Sequence, residues 1–299
     1  MRIMLTGANG QVGWELSRSL MPLGEVIALN RGQCDLSHLE SIPSIVREIK
    51  PDVIVNAAAY TAVDKAEEEE ELATIINGAS VGVLAEEAKK RNALLLHYST
   101  DYVFDGTKAE PYTEDDIPTP INAYGRSKLI GERAIQQAGC DHLILRATWV
   151  YAARGKNFLK TVLRLAQERE ELRIVADQYG APTWARNIAD ITTHVLAISQ
   201  RERKTGEFTP GTYHLCASGK TTWHGFSSAI IERARQVAPV GMIKANRVLP
   251  ITTEEYPLLA QRPKNSQMNS STLTATFGVS MPEWHQAMEL CVDEVLETL

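Results

Sequence analysis

A short apolar run, Ile3-Met4-Leu5-Thr6, leads straight into Gly7-Ala8-Asn9-Gly10-Gln11-Val12-Gly13. A helical pattern follows from Gln11 to Met21, with Val12, Leu16 and Leu20 on one face. Strand, glycine turn and helix in that order restrict the fold severely. One glycine permits the tight turn, and another lets backbone N–H groups approach a pyrophosphate at the positive end of the helix. The last lets helix and strand pack closely. The spacing is G-x-x-G-x-x-G rather than G-x-G-x-x-G, so the flanking elements carry the dinucleotide reading. A glycine loop without a ligand is the alternative.

The next segments repeat the rhythm. Val26-Ile27-Ala28-Leu29 is a second strand ending at Asn30-Arg31. An NAD-specific site usually places an acid about 20 residues past the fingerprint, on the ribose 2′-OH. Asn30 stands there instead, and the neighbouring Arg31 suits a 2′-phosphate, so NADPH is expected, with NADH as a second cofactor. Cys34-Asp35-Leu36-Ser37 reads as a loop edging the adenine, before a helix from Leu39 to Lys50 that Pro51 stops. Val53-Ile54-Val55-Asn56 is a third strand, followed by Ala57-Ala58-Ala59-Tyr60-Thr61. Small residues there admit either a flat cofactor or close helix–sheet packing. The five consecutive acids Glu67 to Glu71 read as the solvated first turn of a helix.

After a helix from Val81 to Arg91, Leu94 to Tyr98 form a strand ending in Ser99-Thr100-Asp101. Ligands of open α/β sheets bind at such strand ends, although turn chemistry also explains these residues. Leu143 to Arg146 is a fifth strand. The expected fold is α/β, a Rossmann-type doubly wound parallel sheet. Beyond Arg146 the pattern changes, Trp184 to Ser199 forms a further helical run, and a smaller C-terminal lobe interleaves with the first. Residues 1–150 and roughly 184–216 make the dinucleotide-binding domain. Roughly 151–183 and 217–299 make the second.

Tyr124 and Lys128 stand at i and i+4 of a helical run reaching Gln137, on one face. A lysine ammonium beside a phenol favours its ionised form, lowering a pKa that is about 10 unperturbed. Such a tyrosine exchanges protons with a carbonyl or alcohol.

Composition narrows the class. A net charge of −6 argues against non-specific nucleic-acid binding, which draws on Lys and Arg at phosphates. Cys34, Cys140, Cys216 and Cys291 lie far apart without Cys-x-x-Cys spacing, as reduced thiols of a cytoplasmic protein do. The N-terminus shows no secretory pattern, and no apolar run is long enough to span a membrane. His97, His142, His214 and His224 have no ligand spacing.

Gly7-x-x-Gly10-x-x-Gly13, Asn56-Ala57-Ala58-Ala59, Ser99-Thr100-Asp101 and Tyr124-x-x-x-Lys128 together resemble the extended short-chain dehydrogenase/reductases. Gly10-Gln11-Val12-Gly13, Ala59 to Asp64, Ser99 to Phe104 and Asp177 to Thr183 are similar to the dTDP-4-dehydrorhamnose reductase group over the whole chain. Related 4,6-dehydratases carry Asp-Glu after the threonine, whereas Tyr102 follows Asp101 here. The resemblance implies NADPH-dependent reduction of a C4 ketone on a nucleotide sugar, the last step towards dTDP-L-rhamnose. Thr100, Tyr124 and Lys128 are implied as catalytic. Gly7, Gly10, Gln11, Val12, Asn30, Arg31, Asp35, Leu36, Ala59, Tyr60, Thr61, Tyr98 and Lys128 are implied at the cofactor. Thr100, Asp101, Tyr102 and Trp149 are implied at the sugar, and Asn157, Gln178 and Arg262 at the nucleotide. Some members are metal-bridged dimers built on glutamates. Only Glu15 aligns with those, Arg186 and His285 occupying the other positions, so no metal is expected and a homodimer stays open. The rival readings are a reductase or epimerase on another deoxysugar nucleotide, or a non-catalytic NADP-binding regulatory subunit.

Overall fold

A computed structural model describes residues 1–297 of the chain. In chain order the first half comprises β1 (Arg2–Thr6), α1 (Gln11–Ser19), β2 (Glu25–Leu29), α2 (Ile42–Ile49) and β3 (Val53–Asn56). Short helices α3 (Val63–Ala66) and α4 (Glu70–Thr74) run through a π-helical turn (Ile75–Ala79) into α5 (Ser80–Arg91). Then come β4 (Leu94–Thr100), α6 (Ala123–Ala138) and β5 (His142–Ala147). The second half contains β6 (Val150–Tyr151), α7 (Phe158–Glu168), β7 (Glu171–Val175), β8 (Tyr179–Gly180), β9 (Thr183–Trp184), α8 (Ala185–Thr205) and β10 (Gly211–His214). It closes with β11 (Thr221–Thr222), α9 (Trp223–Val237), β12 (Arg247–Ile251), α10 (Ser271–Phe277) and α11 (Trp284–Glu297).

The main sheet is six-stranded and parallel, in the order β10-β5-β4-β3-β1-β2. Its central strands are apolar on both faces because helices cover both. Leu5, Val55, Leu96 and Leu145 point towards α1 and α8, meeting Leu16, Leu20 and Ile188. Their neighbours Met4, Ile54, Leu95 and Ile144 point the other way, onto Ile42 and Val46 of α2 and Leu84 and Ala88 of α5. The two-residue period of a strand thus divides one run between two cores. Each fully buried aliphatic side chain contributes roughly 1.5–3 kcal/mol.

A third core joins α7, α9 and α11 around Leu159, Phe226, Ile230 and Met288, beside the parallel pair β7–β12. The chain passes between these bodies more than once. Leu273 and Phe277 of α10 pack with the main-sheet core, before α11 returns to the other.

Two element boundaries differ from the sequence reading for local reasons. The helix expected from Leu39 starts at Ile42, with Pro43 in its first turn, where a missing N–H costs nothing. The run expected to end at Ser199 continues to Thr205, where Gly206 at φ 78° closes it. A third correction concerns the acidic run. Glu67 accepts the Ala123 N–H at 2.8 Å, Glu69 the Tyr60 hydroxyl at 2.8 Å, and Glu70 clamps Arg126 at 2.7 and 3.0 Å. The run is a joint fastening α4 to the head of α6, not merely a solvated turn.

Candidate functional site

The sheet order reverses between β1 and β3, so the loops after these strands part to opposite faces and leave a crevice. Gly7 begins its floor at φ 74°, where a Cβ would lie 2.7 Å from the Ala57 carbonyl. No side chain caps α1 at Gly10. Its first-turn N–H groups therefore face a cleft of about 840 Å³, the arrangement that takes a phosphate.

Every residue expected at the cofactor lines this cleft. Gly7, Gly10, Gln11 and Val12 form one wall, with Asn30, Arg31, Asp35 and Leu36 beyond. Ala59, Tyr60, Thr61, Tyr98 and Lys128 complete it. Asn30 folds its Oδ1 onto the Gly32 N–H at 2.9 Å. The backbone N–H of Ser37, with Arg31 3.1 Å away, holds the Asp35 carboxyl down at about 2. Arg31 is otherwise exposed.

α6 carries Tyr124 and Lys128, two of the side chains expected to be catalytic. Asn122 caps it by accepting the Gly125 N–H at 2.8 Å, and a Cβ on Gly125 would sit 2.1 Å from the Tyr102 carbonyl oxygen. That glycine lets the helix approach the turn after β4, bringing Tyr124 edge-to-face against Tyr102 at 5.7 Å. Thr100, Asp101, Tyr102, Tyr124 and Lys128 thereby line one end of the cleft. Burial, then the Asp101 charge, pushes the Tyr124 phenol up to about 12, with the Thr100 hydroxyl pulling the other way. The expected lowering by Lys128 is not found. Lys128 donates to the Tyr98 carbonyl at 2.6 Å and stands 3.1 Å from His97 Nε2. The shared helix face is real, but the lysine turns towards β4. Burial brings its ammonium down to about 8, against the charge of Glu132.

A second cleft of about 1160 Å³ adjoins the first and shares Tyr102, Phe158 and Trp223 with it. Gln178 and Arg262 line this second space, whereas Trp149 and Asn157 line the first. Arg262 is bound to Asp64 at 2.7 Å. Asn157 caps α7 and donates to Gln11 across the cleft at 3.0 Å. Trp149, at φ 45°, is held between Gly180 and Trp223, the two indoles stacking at 3.5 Å. Trp223 also donates to Gln178 at 3.2 Å. Sequence reasoning missed Trp223, which sits where periodicity is weak; its signal is an aromatic at the start of a helix.

Glu15 is joined to Arg186 at 3.3 Å, and Arg186 to Glu294 at 2.7 Å. Among the described residues no group of three or more His, Cys, Asp or Glu side chains is placed to hold a metal ion. Nor is any of their helices long and apolar enough to cross a membrane.

Burial raises the Asp101 carboxyl to about 6, only partly offset by hydrogen bonds from Ser266 and Thr100. Its folded value exceeds its unfolded value near 4, so its relative contribution to stability is full below about pH 4 and lost as pH rises through 6. Asp101→Asn removes the cost of burying the anion. It is expected to stabilise the fold by about 2–3 kcal/mol above pH 7 and to give no gain below pH 4. Urea unfolding at both pH values checks this. An equal effect at each would sink the linkage argument.

The chain matches the family model described as the RmlD substrate binding domain over residues 1–297. It is 55% identical to the dTDP-4-dehydrorhamnose reductase of Burkholderia thailandensis over 99% of each chain. To that of Escherichia coli K12 it is 45% identical, over 100% of this chain and 99% of the other. The crystal structure of dTDP-4-dehydrorhamnose reductase from Bacillus anthracis in complex with NADP superposes with a TM-score of 0.86. That comparison has 35% identity and covers 97% of this chain and 98% of that one. Thermus thermophilus UDP-glucose 4-epimerase, at 20% identity and a TM-score of 0.78 over all of both chains, shares the fold alone. With full-length matches of this kind, the chain belongs to the RmlD family of dTDP-4-dehydrorhamnose reductases.

Proposed function

We propose that this protein reduces the C4 ketone of dTDP-4-dehydro-β-L-rhamnose to dTDP-L-rhamnose with NADPH, NADH serving as a second reductant. The observation that supports the reading is that Thr100, Tyr124 and Lys128 all line the glycine-floored cleft, beside the Tyr102 that also lines the larger one. The floor fits a dinucleotide. A Cβ at Gly7 would strike the Ala57 backbone, and the uncapped end of α1 offers N–H groups for phosphates. Arg31, exposed at the far end of this cleft and tied to Asp35, would hold a ribose 2′-phosphate.

When bound, NADPH supplies the hydride. The chain's own task is to orient the ketone and deliver a proton. Tyr124 stays protonated at neutral pH and donates to the oxygen as negative charge develops there. The Thr100 hydroxyl, which donates to Asp101 at 3.1 Å, would turn its proton to the same oxygen. Trp149 and Asp101 flank the sugar, and Gln178 and Arg262 reach the nucleotide in the larger cleft. Residues 1–150 and roughly 184–216 hold the cofactor, and roughly 151–183 and 217–299 the nucleotide sugar. The four buried free thiols suit a reducing cytoplasm.

The test supplies NADPH and dTDP-4-dehydrorhamnose generated in situ and follows loss of the reduced nicotinamide's absorbance, with product identification. One NADPH consumed per dTDP-L-rhamnose formed is the expected result. Consumption only with a different 4-keto sugar nucleotide would overturn the substrate. Binding of NADPH without turnover of any ketone would overturn the enzyme.

A further inference from the structure

Among the described residues, three that are not glycine stand at positive φ, and two of them, Lys50 and Asn92, merely close helices. The third is Trp149, at φ 45°. A bulky side chain rarely adopts that conformation, and it persists only where the surroundings over-determine it. Two neighbours do so here. A Cβ on Gly180 would lie 2.6 Å from the Trp149 indole, so the ring rests against bare backbone. Trp223 covers the ring as well, with centroids 3.5 Å apart and planes 10° apart. Gly180 of β8 pairs with Thr221 of β11, and Trp223 follows that strand directly. Thr222 accepts the Gly225 N–H at 3.0 Å and so fixes the start of α9. Both walls that hold Trp149 therefore belong to one antiparallel pair.

The indole nitrogen of Trp223 is tied to the larger cleft. It donates to Gln178 Oε1 at 3.2 Å, Gln178 Nε2 donates to the Thr253 hydroxyl at 3.1 Å, and that hydroxyl donates to Asp177 Oδ1 at 2.7 Å. An indole N–H only donates and an ionised carboxylate only accepts. The direction of each bond between them is thus set, and with it the orientation of the Gln178 amide. Trp149 lines the first cleft and Gln178 the second, whereas Trp223 lines both.

We propose that Trp223 is a positioning residue for the reduction, with two separable actions: its ring holds Trp149 in the strained conformation, and its N–H sets the Gln178 amide. A nucleotide sugar laid across both clefts meets Trp149 at its sugar and Gln178 at its nucleotide. One side chain then fixes these two contact points relative to each other, and with them the placing of the ketone.

The inference rests on the reading in which the larger cleft takes the nucleotide and Trp149 flanks the sugar, but binding of dTDP alone separates the two. Trp223→Phe loses the N–H and keeps a ring to stack, and Phe158, 4.5 Å from Trp223, still packs on it. Its affinity for dTDP, measured by calorimetry, should fall roughly three- to tenfold, the worth of one neutral hydrogen bond. KM for the sugar nucleotide should rise alike while kcat holds. In a Gln178→Leu background the same substitution should cost nothing more, because the N–H acts through that amide. Trp223→Leu frees Trp149 as well, and kcat should drop about tenfold or more. NADPH titration shows whether each variant is folded, and Trp223→Phe suffices if Trp223→Leu is not. Unchanged dTDP affinity in Trp223→Phe, an equal loss with and without Gln178, or the same kcat in both folded variants overturns the proposal. A parent that does not bind dTDP takes down the nucleotide assignment and this inference together. A parent that binds dTDP but reduces no ketone strikes the substrate reading alone, and the dTDP affinities still decide the role of Trp223.

Discussion

Tyr124→Phe is expected to lower kcat for the reduction by roughly 10²–10⁴-fold, the usual contribution of a positioned general acid, while NADPH binding changes little. The substitution removes one oxygen and keeps the ring that packs edge-to-face on Tyr102. Structural collapse would therefore not explain the loss. The pH dependence follows from the direction of the shift. A phenol pushed up to about 12 by burial is protonated throughout the neutral range, so reduction loses none of its acid there. The reverse oxidation needs the phenolate and should accelerate with pH over the same range. Steady-state kinetics in both directions, with NADPH affinity measured by fluorescence titration, check this. A variant that retains near-normal kcat would show that another group donates the proton.

The fold was legible where one physical cause governs each stretch. A strand covered on both faces must be apolar throughout, and Val53-Ile54-Val55 has no other reading. The glycine turn was equally plain, because Gly7 adopts a conformation that favours glycine and also abuts the Ala57 backbone. The site was legible in part. Helical spacing places Tyr124 and Lys128 on one face, yet spacing says nothing of which neighbour takes the lysine. That depends on His97, which in sequence is one more residue of a buried strand. The Glu67–Glu71 run misled for the same reason, since its partners Ala123 and Arg126 lie 56 residues away. Trp223 and Trp149 stack across a comparable gap. Local pattern encodes backbone and burial; pairing between distant side chains is set by topology.

The deepest ion pair gives the largest effect on stability. Arg146 of β5 and Glu132 of α6 meet through two parallel hydrogen bonds of 2.9 and 2.7 Å, both side chains nearly inaccessible at 4% and 2%. Glu132→Ala leaves the guanidinium buried and uncompensated, which is expected to cost about 3–5 kcal/mol. Domains are stable by only about 5–15 kcal/mol, so the variant should unfold well below the normal denaturant midpoint. Replacing both partners, Glu132→Met with Arg146→Met, removes the stranded charge as well as the attraction. The double variant should therefore be more stable than either single one, because desolvation of the two ions largely cancels their attraction. Equilibrium unfolding of the parent, Glu132→Met, Arg146→Met and the double variant measures the coupling. Single variants each costing under about 1 kcal/mol, the range of exposed pairs, would mean that water reaches the pair and that it is not a buried one. The pair also fixes the helical turn that follows Lys128, so surviving Glu132→Ala protein should bind Lys128's neighbourhood more loosely and lose kcat along with stability.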